Sequence, residues 1–437
     1  MIKKIKMPKQ AGWLLPGLQV KRWFALIFVG AVLMTVGILI LFDLKPIYNT
    51  MQFIQQIATQ ISTEWLAFGI VMIGAAIFFK GWQKTNLSIL DIEEDRNNDV
   101  LLENLYKRRK LNRGPRIVAV GGTGLSMLLS GAKNITNNLT AIVSVGDDGG
   151  SSGRLREEMG ILPPGDIRHC ITALADDEDL VNKLFKYRFK NGEGLEGHSF
   201  GNLFLTALYD ITGDMVSAVR ASSRVLSIRG RVLPATLDDM KLVAEMEDGR
   251  IIHGESTIPE AHGKIKRLFT EPANCKALPD VIQAIREAEL IILGPGSLYT
   301  SVIPNLLVRE ISEEIIKSKA KKIYVCNIMT QPGETDNYTV SDHLKALIQH
   351  AGSNKIVDAV LVNDYLPENL AGKYQEAGSY PVKLDVPEVK KLGIKIFAKK
   401  LIQDSKEGLV RHSSTRVARA VYYWFKKQQK KSSGFFK

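Results

Sequence analysis

Cysteine is scarce in this chain. Cys170, Cys275 and Cys326 are the only three, far apart and odd in number. No disulfide frame or metal-ligand spacing can be drawn from them, which fits a reducing compartment. The seven histidines form no metal-binding pattern either. No glycine-rich turn ends in the Gly-Lys-Ser/Thr of a P-loop, which argues against a standard ATPase. Internal repeats are absent.

Acidic residues are missing from both ends. Residues 1–22 carry six basic side chains and no acidic one, and residues 411–437 carry eight and none. Together these ends exceed the net +12 of the whole chain and leave residues 23–410 at −2. A nucleic-acid enzyme is expected to carry its basic stripe across the fold itself, so no nucleic-acid partner is expected. A basic end beside a membrane suggests attraction to anionic lipid instead.

Long uncharged runs are few, and the two clearest lie close together. Residues 23–42 are twenty residues without a charge, enough at helical rise to cross about 30 Å of hydrocarbon. The run is too long for a typical signal-peptide core, and no small-residue cleavage site follows. Residues 65–79 form a shorter uncharged run that either spans or re-enters the membrane. Trp23, Trp65 and Trp82 mark interfaces, and Lys80 can snorkel. Basic residues crowd both outer flanks, whereas the loop over 43–64 has one lysine and two acids. The positive-inside rule then places both termini and the large remainder in the cytoplasm of a multi-pass inner-membrane protein. Residues 83–115 read as a charged juxtamembrane linker or an amphipathic helix.

From residue 116 onward, short β-rich runs alternate with helical stretches. Strands are expected at 117–120, 140–145, 290–293, 322–327 and 359–363, all continuously apolar as strands buried on both faces should be. Helices are expected over 125–129, 166–175, 179–187 and 203–209. The alternation predicts an α/β, Rossmann-like, doubly wound and mainly parallel sheet over 116–425, with a basic tail over 426–437. The run 417–425 reads either as a core-packed last helix or as a segment on the inner leaflet.

In such sheets ligands bind outside the carboxyl ends of the strands. Four expected strand ends carry glycine or small polar residues. They are Gly121-Gly122-Thr123-Gly124, the run from Gly146 to Arg154, Gly294-Pro295-Gly296-Ser297 with Tyr299, and the segment 327–335 with Thr330. A glycine turn opening into a helix lets backbone N–H groups approach a phosphate. Any one of these is an ordinary turn, but four on one edge predict a shared nucleotide crevice.

Asp147 and Asp148 are adjacent within the second turn, where one could bind a divalent cation, such as magnesium, while the other caps the turn. Asp166 sits where a helix N-cap belongs. Arg154, Arg156 and Arg168 are candidate phosphate forks. In Gly197-His198-Ser199-Phe200-Gly201-Asn202, Asn202 either holds a sugar or base, or the motif is helix capping by Ser199. No acidic partner makes Ser199 a hydrolase nucleophile.

Together the motifs GGTGL, GDDGGSSGRLR, PPGDIR, GHSFGN, GPGSLYTSVIPNLLV and CNIMTQPGETDNYTVSDH resemble the YvcK family of gluconeogenesis factors, relatives of the CofD-like 2-phospho-lactate transferases. The resemblance covers about residues 116–420. Many relatives carry one more glycine where this chain has Val120, and most lack the hydrophobic hairpin. The resemblance implies a nucleotide-binding Rossmann-like core, a UDP-sugar ligand such as UDP-N-acetylglucosamine, and roles in cell shape, cell-wall synthesis and gluconeogenic growth without a proven reaction. It marks Tyr299 and Arg411 as ligand contacts. It also raises a transferase alternative, moving a phospho-lactate-type group from a nucleoside diphosphate, with a metal on Asp147, Asp148 and Asp166. A homodimer and cell-wall synthesis proteins are possible partners. A nicotinamide dehydrogenase is a weaker third reading, because the acid expected after the glycines falls inside a glycine turn.

Overall fold

The computed structural model describes residues 45–58, 65, 72, 111–176, 178–365, 378–402 and 412–433. The chain divides into two compact units, Met1–Arg109 and Lys110–Lys437. In the first, the helix Lys45–Ala58 occupies most of the segment expected as a loop. It contains no glycine, and Pro46 falls in its first turn, where a missing N–H costs nothing. The uncharged runs 23–42 and 65–79 lie outside the described residues apart from Trp65 and Met72. Among the described residues no helix is long and apolar enough to cross a membrane.

The second unit is built on a seven-stranded sheet. Its strands are β1 (Ile117–Gly121), β2 (Leu139–Val143), β3 (Arg231–Pro234), β7 (Leu290–Leu293), β8 (Lys321–Val325), β9 (Ala359–Asn363) and β10 (Lys395–Lys399). They pair in parallel in the order β10-β9-β8-β7-β1-β2-β3. β1, β2 and β7 are buried along their whole length, which explains their continuous apolar runs. β2 and β8 each end two residues before the expected bounds, where the chain leaves the ladder for the site loops.

Helices cover the sheet in two contact groups. One contains Leu125–Ala132, Gly165–Leu174 and the last helix, Ser414–Ser433; the other contains Ile303–Leu307, Arg309–Lys317 and Val340–Ala351. The last helix buries Val417, Ala418, Val421, Trp424 and Phe425, so the core-packed reading holds for it. It continues to Ser433, and the lysines expected in a tail after Phe425 lie on its final turns.

Between β3 and β7 the chain inserts a small antiparallel sheet of β4 (Lys241–Met246), β5 (Ile251–His253) and β6 (Ile265–Glu271), ordered β5-β4-β6. Neither this sheet nor β3 and β10 is among the strands expected from sequence. β3 is four residues long, and β10 opens and closes on lysine, so neither has the long apolar run of a central strand.

The strand order reverses between β1 and β7. The first half of the chain winds outward through β2 and β3, the second through β8, β9 and β10. The crevice outside the carboxyl ends of β1 and β7 is therefore the topological switch point where such sheets hold ligands.

Candidate functional site

The loops after β1 and β7 touch at the switch point. A Cβ built on Gly124 would lie 2.6 Å from the Pro295 carbonyl oxygen and 2.5 Å from the Gly296 Cα. Only glycine lets these two backbones approach so closely. The loop after β8 braces the contact. Asn327 Nδ2 donates to the Gly296 carbonyl at 2.9 Å, and Gln331 Nε2 donates to Ser297 Oγ at 2.7 Å. Gly294 takes a φ of +69°, which favours glycine there as well.

Beside this junction lies a cavity of about 770 Å3. Gly124, Gly296 and Ser297 form one wall, and the segment 327–332, including Thr330, forms another. Met127 and Ser130 of the Leu125–Ala132 helix, with His169, Lys186 and His412, also belong to the lining. Among the described residues no carboxylate lines it. Burial and the neighbouring Arg168 push the His169 pKa down to about 3, so its ring is neutral at physiological pH. Arg168 Nη2 lies 2.7 Å from His169 Nε2 and Nη1 donates to the Phe185 carbonyl at 3.1 Å, which spends this arginine inside the fold. Thr330 is also largely committed: its hydroxyl accepts from the Tyr380 N–H at 2.9 Å.

On the other side of the first glycine loop the chemistry is acidic. The Thr123 hydroxyl donates to Asp166 Oδ1. The side chains of Asp166 and Ser301 crowd the Cα of Gly122. Asp166 is not the expected N-cap: that position is Pro164, the helix begins at Gly165, and the carboxyl turns to the glycine loop. Burial, with Asp147 nearby, pushes its pKa up to about 6. Glu255, delivered by the inserted sheet, is pushed up to about 8 by burial and by Asp147 and Asp166. Burial also raises Glu334, although it accepts from Thr300 Oγ1 at 3.0 Å and from the Tyr299 N–H at 3.3 Å. Leu298–Val302, which carries Tyr299, Thr300 and Ser301, is one turn of π-helix, a geometry frequent at functional sites.

Several expected site residues take other roles. Asp147 Oδ1 accepts from the Gly149 N–H at 3.0 Å, which tightens its own turn. Asp148 accepts from the Glu255 and Ser256 N–H groups, both at 2.9 Å, so its two oxygens hold the inserted sheet's turn. Among the described residues no group of three His, Cys, Asp or Glu side chains is placed to hold a metal. Arg154 donates to the Glu196 carbonyl at 2.9 Å, and Arg156 to Asp239 at 2.7 Å and to the Met240 carbonyl at 2.8 Å.

Tyr299 requires the largest correction. It is 3% exposed, with its hydroxyl 2.8 Å from that of Tyr338 and its ring edge-on to Tyr338 and His350. The π-helical turn points this side chain into the core, so it presents no face on which a base could stack. Arg411 lies outside the described residues; its neighbour His412 lines the cavity.

The GHSFGN motif is a buried polar network. Ser199 caps the helix Phe200–Thr212, accepting from the Asn202 N–H. Asn202, 2% exposed, donates to Ser151 Oγ at 3.0 Å, and Ser151 Oγ is 3.0 Å from His198 Nδ1. These residues tie the Gly150–Met159 helix to Phe200–Thr212 and are not part of the cavity lining. Sequence reasoning missed Glu255, His169 and Lys186. Glu255 follows Gly254 at the end of β5, a strand the sequence pattern did not mark, and His169 and Lys186 lie within helices rather than at strand ends.

The family model "2-phospho-L-lactate transferase CofD" matches residues 117–402. The chain is 51% identical over 310 residues to the "Gluconeogenesis factor" of Bacillus subtilis, covering 70% of this chain and 97% of that one. It is 49% identical over 421 residues to a "Putative gluconeogenesis factor" of Nostoc sp., covering 94% and 92%. That coverage cannot be reached without most of the first hundred residues. A solved structure of protein BH3568 from Bacillus halodurans superposes with a TM-score of 0.68 at 47% identity, covering 71% of this chain and all of that one. Proteins made of little more than the second unit therefore fold.

Proposed function

Since the chain belongs to the YvcK branch of the CofD family, we propose that its second unit binds a nucleoside diphosphate sugar of the UDP-N-acetylglucosamine type, and thereby regulates cell shape, cell-wall synthesis and growth on gluconeogenic carbon. The observation that carries this reading is the cavity at the switch point. It is large enough for a ligand of that size, and among the described residues its lining holds a lysine and no carboxylate. Lys186 suits a diphosphate as a point charge, and the touching glycine loops offer backbone N–H groups. Met127, Ile328 and Met329 supply apolar wall for a base or a sugar face. Calorimetric titration of residues 110–437 with UDP-N-acetylglucosamine, UDP and GDP, with and without magnesium, tests the reading. Metal-independent preference for the UDP-sugar, recovered intact, supports it; Met127→Trp, which fills the cavity, should abolish that heat while leaving the melting temperature in place.

A transferase is the second reading, favoured by the acidic group beside Gly122. Asp166, with its pKa near 6, can exchange a proton at physiological pH. Because Asp148 is committed elsewhere, a magnesium ion would have only Asp147 and Asp166 of the three expected ligands. Metal-dependent GDP binding with no response to the UDP-sugar would favour this reading. Membrane anchorage with a cytoplasmic domain is part of the proposal and rests on the sequence of residues 1–115. It is supported by the long similarity to the Nostoc relative, and extraction of full-length protein by alkaline carbonate would remove it.

A further inference from the structure

The sheet has a charge polarity along its strands. The carboxyl edge gathers Asp147, Asp166, Glu255 and Glu334, whereas the amino edge is basic. β8 and β10 begin on Lys321 and Lys395, and β3 on Arg231. Lys355 lies in the turn ahead of β9, and Arg116 is the residue before β1. Four of the seven strands therefore enter on or directly after a basic residue, and Lys355 stands four residues ahead of a fifth. Neighbouring strands are about 4.8 Å apart, so these charges line an edge roughly 30 Å long.

The last helix extends the same edge. It starts beside the cavity at Ser414, and near its other end Phe425 and Gln429 line one hollow with Lys319 and Lys321, and with Glu289 and Glu314. Lys426 and Lys427 are exposed there. Acids are present but partly spent: Glu314 pairs with Arg286, Glu388 with Lys391, and Asp358 accepts the Lys322 N–H. Glu289 accepts the Arg116 N–H. Lys319, Lys321, Lys355 and Lys395 form no ion pair among the described residues. The polypeptide also enters the unit at this edge, through Arg113 and Arg116.

We propose that the amino edge of the sheet docks on a surface of anionic phospholipid, leaving the ligand crevice at the far end of the strands facing away from it. Charge complementarity supplies the attraction. The uncharged run over residues 23–42 of the same chain selects lipid among polyanions. The inference is independent of which ligand the crevice takes.

The test is co-sedimentation of residues 110–437 with vesicles of phosphatidylcholine alone or mixed with phosphatidylglycerol. The fragment should pellet with the anionic vesicles only and be released by raised salt. The variant K319Q/K321Q/K355Q/K395Q should lose at least roughly a hundredfold in partitioning, since each basic residue contributes about fivefold. A control, K183Q/K190Q/K241Q/K264Q, removes the same charge elsewhere and should keep binding. Unchanged melting temperatures and an unchanged UDP-sugar titration separate loss of docking from loss of fold or of the crevice. Three results would overturn the proposal: no pelleting with anionic vesicles, equal loss in both variants, or displacement from the vesicles by single-stranded RNA at equal phosphate.

Discussion

The hydroxyl of Thr123, in the first glycine loop, donates to the carboxyl of Asp166, in the first turn of the Gly165–Leu174 helix. This bond joins the two motifs that flank the crevice. Burial raises the pKa of its acceptor to about 6, above the ordinary aspartate range. Over that interval the native state holds a proton that the unfolded chain has released, so stability falls as pH rises from about 4 to about 6. Asp166→Asn keeps the acceptor without the charge. The variant should match the wild type in urea at pH 4 and exceed it by about 1–3 kcal/mol at pH 7.5. Equal stability at both pH values would remove burial as the cause of the shift.

Asp148 clasps the Glu255 and Ser256 amides at 2.9 Å. Asp148→Ala should cost about 2 kcal/mol, since hydrogen bonds to a charged acceptor exceed neutral ones. Hydrogen exchange at those two amides should accelerate more than across β1. A uniform change over the whole unit would mean that Asp148 holds more than this turn.

Gly124 has an ordinary helical φ of −61°, so alanine there is not strained by its own backbone. The obstacle is the opposing loop, with the Pro295 oxygen 2.6 Å from the added carbon. Gly124→Ala should force the two loops apart and weaken UDP-sugar binding tenfold or more, about 1.4 kcal/mol. Calorimetry on the folded variant decides it.

Tyr299→Ala should unfold or strongly destabilise the unit, by about 3–5 kcal/mol, because it empties a core site. Tyr299→Phe should cost only about 1 kcal/mol, through loss of the Tyr338 contact, and leave ligand affinity unchanged. A folded Tyr299→Phe variant with lost affinity would return this residue to the site.

The strands most legible in the sequence were those buried on both faces. Runs such as Leu290-Ile291-Ile292-Leu293 admit few other readings, and their glycine-bearing ends announced the crevice edge. β10 was hidden by its terminal lysines, and the inserted sheet by the shortness of β5 and the exposed positions of β6. Loop composition pointed to the neighbourhood of the site but not to the direction of its side chains. Asp147 and Asp148 are identical neighbours; which oxygens face the crevice depends on where the inserted turn lies, a fact more than a hundred residues away in sequence. The family resemblance alone marks Tyr299 as a ligand contact, and one π-helical turn sends it inward.

The last helix lies against the first helix of the unit: a Cβ on Gly131 would come within 2.9 Å of the Ala418 Cβ. The ribosome makes Ala418 almost three hundred residues after Gly131. The nascent polypeptide therefore emerges with the apolar face of Leu125–Ala132 uncovered, and the layer closes only once synthesis has passed Phe425. Stop codons that remove Val417 to Phe425 should yield a product that never matures, however intact its glycine loops, and that depends on chaperones for as long as it persists.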